Sequence, residues 1–151
     1  MFFMEKMFEE TQSLLIESRQ YVKDCLSRDM KDAIPMDRLK VSCEAMRVTA
    51  RLTQVMAWLM LRKAVEAHEL TEEEILSPHF QVLHGDNCMS NESAENDDLP
   101  FILRELLARS YDLYMRVKRL DEAARRPKRR GTPLMRLRVV SDDTTHQPSG
   151  H

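Results

Sequence analysis

The sequence predicts an all-α fold: an antiparallel three-helix bundle with a long central helix and a disordered C-terminal tail. Three observations carry that prediction. Only 3 Gly stand in 151 residues, beside 11 Met and abundant Leu, Ala, Glu and Arg, a composition suited to helices and unsuited to turn-rich β sandwiches or Gly-loop nucleotide folds. Apolar residues recur at helical spacing through three long segments. After Ala124 the chain turns abruptly basic and loses that periodicity.

The first helix is expected over 4–31. Phe8, Leu15 and Val22 repeat every seven residues beside Met7, Leu14 and Tyr21, and Met4 and Cys25 extend the stripe. Such adjacent repeats make one apolar face. Pro35 separates this helix from the next, because proline cannot continue a helical ladder.

The second helix, 37–69, has two apolar faces. Val41, Ala45, Val48, Leu52, Val55 and Leu59 cluster on one side; Cys43, Met46, Ala50, Ala57, Met60, Leu61 and Ala64 cluster nearly opposite. A surface helix buries a stripe only a little over ~100° wide. This helix therefore needs partners on two sides, and what the other helices leave bare must be covered by a second copy, as a homodimer, or by another protein. Thr71 with Glu74 reads as a capping box opening a short helix that Pro78 ends. An acidic loop follows at 84–98, and the third helix is expected over 100–124, with Asp98 as cap and Pro100 in the first turn. Residues 1–124 form the bundle and 125–151 a basic disordered tail. The tail holds seven Lys and Arg against two acids, whereas the remainder holds sixteen against twenty-three.

The length fits one domain. Three cysteines at no regular spacing make no disulfide framework, and no signal peptide or ~20-residue apolar span is visible, so the expected compartment is the cytoplasm. Chemistry is hard to find. His79, His84, Asp86 and Cys88 have zinc-ligand side chains at a spacing that matches no common zinc pattern. Cys25 and Cys43 lie on apolar faces, where a thiol behaves as a small hydrophobe. His68 sits near a helix end, suited to a dipole contact. No phosphate loop, nucleophile elbow or carboxylate pair appears; the expectation is a non-enzyme with no catalytic residue, metal or cofactor.

Two interaction surfaces stand out instead. Arg47, Arg51, Trp58 and Arg62 form a helical stripe of hot-spot residue types; the competing reading has Trp58 closing the bundle edge with Arg62 over its ring. In the tail, Arg129 and Arg130 precede the apolar island Leu134, Met135 and Leu137, a candidate docking element. The same basic tail gives the alternative function, a small nucleic-acid-associated regulator. Against it stand the absence of interleaved aromatics and of a reading helix.

The stretch Glu44–Val65 resembles the core of the RcdA family, the regulators of CtrA degradation of alphaproteobacteria. The likeness rests on Met46, Arg47, Thr49, Arg51, Leu52, Gln54, Trp58, Leu59, Ala64 and Val65. Leu99, Pro100, Leu106, Arg109, Ser110, Arg116, Val117, Leu120 and Asp121 support it, with Glu17 and Tyr21 fitting more loosely. It covers about 1–122. The resemblance implies a homodimer of three-helix bundles with disordered ends, acting as an adaptor that helps deliver cargo such as CtrA to the ClpXP protease. Co-adaptors of the CpdR and PopA type and concentration at a cell pole are implied with it. The acidic loop and the unusually basic tail depart from the family pattern. A tethered tail suits an adaptor by raising the local concentration of a weak contact.

Overall fold

The computed structural model describes residues 2–85 and 98–127. Helix α1 (Phe2–Gln20) runs through a π turn (Tyr21–Cys25) into α2 (Leu26–Asp29). The long α3 (Pro35–Glu66), the short α4 (Glu72–Leu76), a 3₁₀ turn (Pro78–Phe80) and α5 (Phe101–Arg125) complete the order. The described residues contain no strand, and no helix among them is long and apolar enough to cross a membrane.

Local chemistry sets most ends. Pro35 opens α3 rather than preceding it, since its missing N–H would have had no helical partner there. At the other end Glu69 N–H donates to Ala64 O at 2.9 Å and His68 N–H to Val65 O at 3.0 Å, with His68 at φ 59°. That is a Schellman closure with His in the left-handed position usually held by glycine. It stops α3 at Glu66, short of the expected 69. The Thr71–Glu74 capping box forms in both directions. Helix α5 begins at Phe101, and Pro100, two residues past the expected cap Asp98, holds the cap position. The π turn, which the heptad spacing does not predict, adds a residue to its turn and rotates the downstream part of the helix. Tyr21 consequently ends the buried row and Val22 is exposed.

The core is the meeting line of α1, α3 and α5. Met7, Leu14 and Tyr21 from α1 meet Val41, Val48, Leu52, Val55 and Leu59 from α3, and Leu103, Leu106, Leu113 and Val117 from α5. Each fully buried Leu or Val contributes about 1.5–3 kcal/mol. Small polar residues sit among them. Thr11 is fully buried, with its hydroxyl donating to Met7 O at 2.7 Å, so its burial costs little.

Helix directions follow from the cross-links. Glu10 pairs with Arg116 and Glu17 with Arg109, making α1 and α5 antiparallel. Lys63 Nζ lies 3.7 Å from the Phe8 ring centre, and Arg38 donates to Met30 O and Lys31 O at the opposite end, so α1 and α3 are antiparallel too. Between α3 and α5 the numbers rise together: Arg51 meets Ser110, Gln54 meets Tyr114, Trp58 meets Asp121. These two helices are parallel. The connection that permits this returns along α3: Leu76 O meets Arg125 at one end, and His84 N–H meets Gln54 Oε1 partway back. Antiparallel neighbours thus describe α1 with each partner, while the return segment sets α5 alongside α3.

Candidate functional site

The arginine–tryptophan stripe of α3 lies largely inside the bundle. Arg51 is fully buried. Its Nη1 donates to Leu107 O at 2.8 Å and to Ser110 Oγ at 3.2 Å, and its guanidinium lies 5.3 Å from the Tyr111 ring centre. A guanidinium survives burial only when its donors find acceptors, and α5 supplies them. Trp58 is 5% exposed, and its Nε1–H donates to Asp121 Oδ1 at 3.0 Å. Asp121 Oδ2 accepts from Arg125 Nε at 2.9 Å, and Arg125 Nη1 donates to Leu76 O at 2.8 Å. Arg62 stands 5.1 Å from the Trp58 ring centre and pairs with Glu72 at 2.6 Å. One polar clamp therefore ties α3, α4 and α5 together, and the geometry is that of Trp58 closing the bundle edge. Arg47 is half-buried beside Glu44 at 3.5 Å.

The residues that carry the family likeness pair with one another. Arg51 bonds Ser110, Trp58 bonds Asp121, and Glu17 bonds Arg109. The Glu17–Arg109 contact is two-pronged, with Arg109 Nη2 donating to Glu17 Oε1 at 3.1 Å. The hydrogen bond from Arg109 holds the Glu17 carboxyl below the ordinary value of 4.5; burial opposes it and the guanidinium's charge adds to it. A depressed folded pKa stabilises the fold above the unfolded value and is lost as pH falls through the folded one. Both side chains are nearly half exposed, so the pair is worth under about 1 kcal/mol. Urea denaturation should show Glu17→Gln less stable than the parent at neutral pH by that amount. The difference should shrink as pH falls below the ordinary carboxylate range, and shrink too in 1 M salt. Equal loss at neutral and acid pH would mean that the pair does not set it. Burial, then the nearby Asp29 carboxylate, pushes the Tyr21 hydroxyl above its ordinary range.

Among the described residues the thiols and histidines do not converge. Among the described residues no three His, Cys, Asp or Glu side chains gather in a metal-holding set; Asp86 and Cys88 of the imagined site lie outside those residues. His84 Nδ1 is 3.1 Å from Val82 O, and His79 packs edge-on against Phe80. Cys25 is half-buried and Cys43 exposed, the latter facing away from the core. The candidate docking residues Arg129, Arg130, Leu134, Met135 and Leu137 also lie outside the described residues.

Among the described residues, part of the second apolar face of α3 stays on the surface. Met46 is 70% and Met60 55% exposed, with Ala50 exposed between them. The spacing of apolar residues alone pointed to this face; its bareness is a result of which side the two other helices occupy.

A family model described as a protein of unknown function, DUF1465, matches residues 2–140. No curated protein matches the chain. The crystal structure of RcdA from Caulobacter crescentus is 31% identical, covering 80% of this chain and 89% of that one with a TM-score of 0.62. The family model takes in almost the whole chain and the solved relative most of it, so the chain belongs to the DUF1465 family, the family of RcdA.

Proposed function

We propose that this protein is a non-enzymatic cytoplasmic adaptor, acting as a homodimer, that helps deliver cell-cycle substrates such as the response regulator CtrA to the ClpXP protease. The observation that carries the reading is the kinship with RcdA at 31% identity over 80% of the chain. The disposition of side chains agrees with it. The buried polar groups of the clamp are spent on holding helices together, and the apolar face left on α3 suits binding rather than chemistry. CpdR- and PopA-type proteins are the co-adaptors in this reading, the basic tail is the cargo-docking element, and a cell pole is the place of action.

The test is reconstituted degradation of CtrA by ClpXP with those co-adaptors. Adding the full chain should speed CtrA loss, and residues 1–124 alone should bind without speeding it. An unchanged rate with the full chain would sink the adaptor reading. Tail-dependent binding to DNA that falls steeply with salt would replace it with the nucleic-acid reading.

A further inference from the structure

One flank of α1 turns Glu10 and Glu17 toward α5. On its other flank α1 does not close over α3. Leu15, Val22 and Thr49 line a hollow of about 550 Å³ there, and Val22, Leu26, Met30 and Ser42 line a second of about 460 Å³. Val22 is common to both, so the two form one groove. From Leu15 to Met30 it runs about 22 Å, or about four helical turns. Val22 stands 44% exposed at the π turn, and α3 sets only the small Ser42 and Thr49 across from it. The Thr49 hydroxyl donates to Ala45 O at 3.2 Å, so its side chain brings no unmet donor to the groove.

Cations edge this apolar floor. Arg19, Lys23, Lys31 and Arg38 line the groove and no Asp or Glu does, in a chain whose net charge is −2. Arg38 donates to the carbonyls of Met30 and Lys31, which leaves its charge uncompensated. Arg19, Lys23 and Lys31 are exposed and meet no carboxylate among the described residues. Gathered like charges favour an anionic ligand and steer its approach.

We infer that this groove binds an amphipathic helix of another protein, with Leu, Ile or Phe along the floor and Asp or Glu along its edges. A helix laid between two antiparallel helices extends the bundle by one member, and apolar side chains at i, i+3, i+4 and i+7 suit a floor of this length. Nucleic acid would leave the floor unused, since Leu15, Val22, Leu26 and Met30 offer a base no ring to stack on. A second copy applying the same groove would set cations against cations. The groove is separate from the tail to which the proposed function assigns cargo, and its binding needs no protease.

The probe is a fluorescein-labelled peptide of about 16 residues, with Leu at helical spacing and Glu elsewhere, titrated into the full chain and followed by anisotropy. Binding is expected with Kd between about 1 and about 100 μM, weakening several-fold as salt rises from about 50 to about 200 mM. The same composition in scrambled order should bind about 10-fold less tightly or worse, and a version with Lys in place of Glu should not bind. Arg19→Glu with Lys23→Glu should weaken the acidic peptide about 10-fold or more, and Val22→Gln should weaken it as well, with helical circular dichroism unchanged in both. Equal binding of ordered and scrambled peptides would overturn the inference, as would a reversed-charge variant that binds like the parent. A single-stranded oligonucleotide that displaces the peptide would make the edge a phosphate site instead. A lower sedimenting mass for the reversed-charge variant would seat a second copy there. Each of these outcomes overturns the helix site and leaves the ClpXP reading to the CtrA degradation assay.

Discussion

Arg51→Ala is expected to cost about 3–5 kcal/mol and to lower Tm by roughly 10 °C or more. The substitution empties the volume of the largest fully buried side chain in the described structure and removes the donor to Leu107 O and Ser110 Oγ. Cavity and lost hydrogen bonds therefore act together. Arg51→Met refills most of the volume without a charge to desolvate and should recover more than half of the loss. Urea denaturation followed by circular dichroism separates the variants. A wild-type midpoint for Arg51→Ala would mean that the guanidinium is not locked between α3 and α5.

Asp121→Ala should cost about 2–4 kcal/mol, because a single carboxylate serves both the Trp58 indole and the Arg125 guanidinium and its removal leaves both donors without that acceptor. Asp121→Asn keeps an oxygen for Trp58 and loses the charge facing Arg125, so about 1 kcal/mol is expected. The chain has 1 Trp, which makes the readout direct: Asp121→Ala should shift its emission to the red as the bundle end loosens. If emission and midpoint both stay put, the clamp does not hold that end.

Some of this architecture is legible in the chain itself because it depends on neighbours in sequence. Thr71 and Glu74 cap each other across one turn, and Val41, Val48, Leu52 and Val55 share a face whatever surrounds them. The start of α3 at Pro35 obeys the same local logic. The π turn at Tyr21–Cys25 does not: heptads of apolar residues run straight through it, and nothing in the spacing marks an inserted residue. His68 in the left-handed position is equally silent, since the signal usually read there is a glycine.

The stripe of Arg47, Arg51, Trp58 and Arg62 shows where local pattern stops. A helical wheel sorts residues by type and sets arginines toward water. The bundle turns Arg51 fully inward and Trp58 almost so, because α5 brings a carbonyl, a serine and an aspartate to meet them. Those partners lie 56–63 residues away on a helix whose parallel course depends on the returning segment.

The sequence alone determined the helical class, the long two-faced central helix, the capping box and the kinship with RcdA, since each rests on local periodicity or on a pattern of side chains along the chain. Only the tertiary structure decided that α5 runs parallel to α3, that Arg51 and Trp58 of the arginine–tryptophan stripe are internal, and that Met46 and Met60 of the second apolar face are left exposed. Periodicity fixes which residues share a face; which face meets water depends on where the neighbouring helices come to rest.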